Sequence, residues 1–260
     1  MRVALGIEYD GTSYNGWQRQ KTGLGVQQRL EEALSLVANQ PVEVICAGRT
    51  DTGVHASGQV VHFDTDSERG ERGWLLGANT NLPEDISVVW VKPVGQDFHA
   101  RFSATARSYH YRILNRLQRS ALRRNRAWWV YEPLDETLMQ TAAQRLLGEH
   151  DFSAFRAAAC QANTAVRTIT EINVCRSGDW LTIDVTANAF LMNMVRNIVG
   201  TLVAVGLEEQ GVAWISDVLK GRDRKVGGIT APPHGLTLVG VEYPDAFGIP
   251  AAGCSRTIWI

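Results

Sequence analysis

Apolar and polar positions alternate with period two at the start of the chain, Val3-Ala4-Leu5-Gly6-Ile7-Glu8-Tyr9, which predicts a half-buried strand. Val26, Leu30, Ala33, Leu34 and Val37 then recur at helical spacing, with Asn39 and Pro41 to end the helix. Strand-like runs follow over 42–46 and 58–63, separated by a polar, glycine-containing segment around Asp51. A short helix over 72–78 and an apolar strand over 86–91 complete the first half. The order then repeats. Residues 108–114 alternate as a strand with Tyr109, Tyr111 and Ile113 on one face, and 135–147 read as a helix that Asp135 is placed to cap. Strands over 169–175 and 180–186 flank the turn Ser177-Gly178-Asp179, and a long helix over 189–207 and a strand over 236–243 close the pattern.

Each half therefore reads β-α-β-β-α-β, the ferredoxin-like unit. The expected fold is α+β: two ferredoxin-like halves with joined antiparallel sheets, helices on one side and an active-site cleft between the halves. The halves are expected at 1–104 and 105–245, with an insert over 116–134 in the second and a tail over 246–260. Such sheets serve RNA binding, metal carriage, regulation and catalysis alike, so the fold leaves function open.

Composition narrows the field. The 260-residue chain is 45% hydrophobic, enough for substantial cores, and its apolar stretches are broken well before the roughly 20 residues of a membrane span. The N-terminus lacks a signal-peptide pattern, so the expected location is the cytoplasm and no membrane partner is expected. Lys plus Arg (26) nearly balances Asp plus Glu (27), but the charge is unevenly spread. Between Phe98 and Tyr131 there is no acid and no lysine, while Arg101, Arg107, Arg112, Arg116, Arg119, Arg123, Arg124 and Arg126 all fall there. Arginine forks suit phosphate oxygens and stack on bases, so this block reads as an RNA surface; a solvated basic face is the plainer reading. The four cysteines are widely spaced, and the histidines show no metal-ligand spacing, so no metal is expected. Gly23-Leu24-Gly25 lacks the third glycine of a dinucleotide loop, which removes nicotinamide and flavin.

Asp51 is the one acid between Cys46 and Phe63, set between Gly48 and Gly53 and bracketed by Arg49 and His55. A turn-forming aspartate has the same local look. A lone carboxylate beside cations stays ionised, which suits a nucleophile or base, and hydrolysis of a glycosidic bond would need two carboxylates. The pattern thus points to a reaction that consumes no water. On the long helix, Leu191, Met194, Val195, Ile198, Val199 and Leu202 form an apolar stripe opposite Asn193, Arg196, Asn197 and Gly200. Arg196 is the only charge between Ala187 and Ala204, which marks it as a candidate for a cleft. Tyr109 and Tyr111 open the arginine block; rings at strand spacing stack bases on many RNA-binding sheets and also simply pack cores.

Several ordered motifs then carry a resemblance over nearly the whole chain: Tyr9-Asp10-Gly11-Thr12, Gly16-Trp17-Gln18, Ala47-Gly48-Arg49-Thr50-Asp51, Gly53-Val54-His55, Gly58-Gln59-Val60, Asn81-Leu82-Pro83, Phe102-Ser103-Ala104, Asp151-Phe152-Ser153, Ala187-Asn188-Ala189-Phe190-Leu191, Met194-Val195-Arg196-Asn197-Ile198-Val199-Gly200 and Gly235-Leu236. On these the chain resembles the TruA family, tRNA pseudouridine synthase A. The resemblance implies that Asp51 is the catalytic nucleophile or base, that Tyr109 packs against the target base and that Arg196 pairs with the aspartate. Arg49 would hold the displaced nucleotide, and Thr50, His55, Arg101 and Arg107 count as further substrate contacts. It implies uridines 38 to 40 of the tRNA anticodon arm as substrate, a homodimer, and no cofactor. The chain departs from the pattern at Thr52, where alanine is common, and at Ser108 and His110, where arginines are common.

Two competitors are weaker. Asp51-Thr52-Gly53 spells the D-T-G of aspartic proteases, but no second copy exists and Ala47-Gly48-Arg49-Thr50 is not the apolar run such a site needs. A noncatalytic RNA-binding module would explain the arginines and tyrosines but not the single carboxylate between glycines.

Overall fold

The computed structural model describes residues 1–250; of the tail expected over 246–260, residues 251–260 lie outside the described residues. In chain order the elements are β1 (Arg2–Tyr9), α1 (Val26–Ala38), β2 (Ile45–Cys46), β3 (His55–Asp64), α2 (Glu71–Asn81), β4 (Ile86–Val94), β5 (Ala106–Asn115), β6 (Trp128–Val130), α3 (Glu136–Ala143), β7 (Gly148–Asp151), β8 (Val166–Ser177), β9 (Trp180–Ala187), α4 (Met194–Gly206), α5 (Trp214–Gly221) and β10 (Leu236–Glu242). The expected α+β class is borne out. The described residues pack as two compact units, Met1–Arg107 with 238–250, and Ser108–Thr237. The segment from Leu238 was expected with the second half, to residue 245; by packing it counts with the first unit.

In the first unit the strand order is β4-β1-β3-β10, with β2 on β3, and β1 is antiparallel to both β3 and β4. β1 is buried more completely than a half-buried strand, with Val3, Ala4, Leu5 and Ile7 all at 0% exposure. The apolar stripe of α1 is buried as its spacing predicts: Val26, Leu30, Ala33 and Leu34 face the core beside Phe63 and Trp74, whose rings meet at 5.1 Å. Each such large side chain contributes about 1.5–3 kcal/mol on burial. Asn39 ends α1 in the left-handed conformation, φ 55, donating its N–H to Ser35 O. The strand expected over 42–46 shrinks to Ile45–Cys46 for a physical reason: Val42 N–H goes to Ser35 Oγ and Val44 N–H to Glu31 Oε1, so α1 side chains take the bonds a neighbouring strand would have taken.

In the second unit the order is β5-β9-β8-β7, with β6 parallel to β5. α3 packs on α4 and β8, over a core that includes Tyr111, Ile113, Met139, Phe152, Phe155 and Leu202. Asp135 caps α3 as expected, its Oδ1 accepting from the N–H groups of Thr137 and Leu138 at 2.8 and 2.9 Å. The β8–β9 hairpin turns at Gly178, φ +58. The helix expected over 189–207 starts only at Met194, because Asn193 before it is left-handed, φ 61. Among the described residues no helix is long and apolar enough to cross a membrane.

Candidate active site

Asp51 lies in the loop between β2 and β3, partly exposed, and the path of that loop is fixed from several sides. Gln59, fully buried on β3, donates its amide to Gly48 O at 2.7 Å and accepts from Gly48 N–H at 3.4 Å. Tyr9 on β1 hydrogen-bonds the buried Thr50 hydroxyl at 2.7 Å. Trp17 N–H binds Thr50 O at 3.0 Å, Gly53 N–H reaches Tyr14 O at 3.3 Å, and Val54 N–H turns back to Asp51 O at 3.1 Å. Gly16 makes this approach possible: its φ is +89, and a Cβ there would sit 2.6 Å from Thr50 O.

The expected neighbours of Asp51 divide by exposure. Arg49 and Arg101 are exposed, whereas Thr50, His55 and Arg107 are buried and bonded to the protein. The Arg107 guanidinium donates to the carbonyls of Ala104, Ala47 and Arg101, tying the foot of the Asp51 loop to the 101–104 turn. His55 Nδ1 lies 3.1 Å from Gly11 N and 3.0 Å from Asp10 Oδ1. One nitrogen cannot accept from the first and donate to the second, so its proton decides which bond is made. Cys46, at the start of the segment, is buried, and that burial pushes its thiol up to about 12, against the lowering influence of Arg49 and Arg101.

In the second unit Tyr109 sits on β5, 8% exposed, with Phe190 edge-on at 5.0 Å. Tyr111, on the same face, is core: it is fully buried, its hydroxyl donates to Pro232 O at 2.8 Å, and burial raises its pKa against the opposing pull of Arg196. Arg196, on the first turn of α4, donates from Nε to Ala231 O at 2.7 Å and from Nη1 to Asn193 Oδ1 at 3.2 Å. The polar side of α4 is not open along its length. Asn197 is buried, binding Phe155 O and accepting from Thr230 and Arg224, and Gly200 lies under the 228–231 strap, where a Cβ would meet Ile229 O at 1.8 Å. Farther along the arginine block, Arg112 is partly buried, and its pKa is lowered by that burial and by Arg123 and Arg126, with Asp184 opposing.

The structure thus places Arg49, Thr50, Asp51, His55, Arg101 and Arg107 together in the first unit and Tyr109 with Arg196 in the second. Gln59 and Asn193 were missed as supports. Gln59 carries a sequence signal, an uncharged polar residue leading the run Val60-Val61-His62-Phe63. Among the described residues no group of three or more His, Cys, Asp or Glu side chains could hold a metal ion.

The tRNA pseudouridine synthase family pattern matches residues 6–103 and 142–244. The chain is 58% identical to the tRNA pseudouridine synthase A of Pseudoalteromonas atlantica over 96% of this chain and 95% of that one. It is 54% identical to the protein of the same name in Nitrosococcus oceani over 100% of both chains, and 56% identical to that of Aeromonas hydrophila over 96% and 93%. A solved Cbf5-Nop10-Gar1 complex matches 78% of this chain and 45% of its own at 11% identity and a TM-score of 0.35, too distant to inform the site. By the extent of the pattern and the identity to these relatives, the chain belongs to the tRNA pseudouridine synthase family.

Proposed function

We propose that this enzyme isomerises uridine to pseudouridine at positions 38, 39 and 40 of the tRNA anticodon arm, with Asp51 as its nucleophile. The observation that carries the reading is a single carboxylate, unaccompanied by a second acid from Cys46 to Phe63, on a loop whose backbone is held by Gln59, Tyr9 and Trp17. An isomerisation needs no water and no second carboxylate. The N1 to C1′ bond of uridine breaks, the uracil turns within the site, and C1′ joins C5, whose hydrogen is lost while N1 gains one. Asp51 starts this by attacking C1′, by attacking C6, or by taking a proton from C2′.

A base inside a stem must flip out to be reached. In this reading Tyr109, its ring backed by Phe190, packs against the flipped base, and Arg196 supplies the charge that keeps the carboxylate ionised. Arg49 and Arg101, being exposed, meet the RNA directly, while Thr50, His55 and Arg107 shape the site from beneath. The reading includes a cytoplasmic homodimer that uses neither metal nor organic cofactor. Mapping pseudouridine in an unmodified tRNA transcript after incubation with the protein tests it, with product expected at 38 to 40. Tight tRNA binding without any pseudouridine would favour the noncatalytic RNA-binding module instead.

A further inference from the structure

Asn is a favoured residue just before a helix because its side chain takes the N–H groups of the first turn. Asp135 does this for α3 with two such bonds. Asn193 stands at the same position before α4, and its side chain makes no capping bond at all. It also holds φ 61, ψ 4, a left-handed conformation that Asn tolerates better than other side-chain-bearing residues. A residue at a capping position that forgoes its usual bond leaves its side chain for another use. Here Oδ1 accepts from Nη1 of Arg196 at 3.2 Å, while Arg196 Nε is held by Ala231 O at 2.7 Å. A planar guanidinium fixed at two nitrogens has its orientation set.

We propose that Asn193 is a positioning residue for the isomerisation: the left-handed turn before α4 gives up a helix cap to fix the Arg196 guanidinium. The inference rests on the role given to Arg196 above. The test compares Asn193→Gly, which tolerates the positive φ and removes Oδ1, with Asn193→Asp, which keeps an acceptor. The measurements are single-turnover tritium release from C5-labelled tRNA at saturating enzyme, tRNA affinity and thermal midpoint. Misplacing a group by an ångström or less is enough to slow a reaction by roughly tenfold or more. Asn193→Gly is expected to lose that much rate with tRNA affinity within about twofold and a thermal midpoint close to the parent's, since glycine accepts the positive φ. Asn193→Asp is expected to keep the rate within about threefold. A wild-type rate in Asn193→Gly, an equal loss in both variants, or a rate loss that follows a fallen midpoint overturns the proposal. Arg196→Ala separates the two readings: full activity there removes the role assigned to Arg196, whereas an inactive Arg196→Ala beside a fully active Asn193→Gly removes only the positioning by Asn193.

Discussion

The two units hold their candidate groups at opposite ends. In the first, the backbone of the loop is what is held: Gln59 grips Gly48 at both of its polar groups and Arg107 takes Ala47 O, with the Tyr9 hydroxyl on the Thr50 side chain. In the second, the head of the side chain is what is held, as Ala231 O and the Asn193 side chain accept from the Arg196 guanidinium. The difference follows from the groups themselves. A carboxylate two bonds from the backbone is placed once its loop is placed. An arginine head on a long stem carries about 2 kcal/mol of rotamer entropy and has to be fixed at the guanidinium.

The largest expected effect breaks the comparison at its chemical end. Asp51→Asn keeps the loop and removes the charge, so single-turnover tritium release should fall on the order of 10³-fold or more with tRNA affinity nearly unchanged; release at the wild-type rate would sink the assignment. Next comes the strap over α4. Gly200→Ala drives a methyl group against Ile229 O, at 1.8 Å before any movement, so the strap carrying Ala231 O has to shift. Denaturant titration should show a cost of about 3 kcal/mol, and the rate should drop with it because Arg196 loses a fixed acceptor.

Much of this was legible beforehand. Period-two runs marked β1 and β5, strand-like runs beside turns marked β3 and β9, the α1 stripe buries as spaced, and Asp135 caps α3. One error came from a local pattern overruled by a partner elsewhere in the chain. Val42 and Val44 alternate like a strand, yet their N–H groups go to Ser35 and Glu31 of α1. Nor does the spacing along α4 say that the 228–231 strap, some thirty residues on, covers Asn197 and Gly200. α5 went unread although Ile215, Val218 and Leu219 carry helical spacing, since eight residues offer too few repeats to stand out. Of the candidate site, residue types were readable and supports were not: nothing local says that Gln59 pairs with Gly48.

That pairing yields the third expectation. Gln59→Met keeps the volume and leaves the Gly48 N–H and C=O without their partner, at a cost of about 2 kcal/mol in unfolding free energy. If the grip serves the Asp51 loop, the rate at saturating tRNA should fall further than this stability loss explains, because the variant stays folded in the assay. A stable variant at full rate would show that the loop needs no such hold, and the contrast between the units would lose its first term.

Acid sharpens the comparison by loosening the units unequally. His62 of the first unit is buried and accepts Ala100 N–H at Nδ1, a bond that protonation destroys. Burial, then Arg2 and His99, lower its pKa from 6.5 to about 4, with Asp64 opposing. Because the folded value lies below the unfolded one, its contribution is complete above pH 6.5 and is lost as pH falls toward 4. By pH 5 the unfolded chain has taken up a proton that the folded chain has not, which costs about 2 kcal/mol at 1.36 kcal/mol per unit. In the second unit His234 is lowered too, by burial, with a backbone hydrogen bond at Ala127 opposing and Arg196 adding to it, but its ring is partly exposed. Hydrogen exchange at pH 5 against pH 7.5 should therefore show β1 and β3 losing protection before β8 and β9, and His62→Gln should remove most of that pH dependence. Equal loss in both units would mean that the histidine is not what makes the carboxylate-bearing unit acid-sensitive.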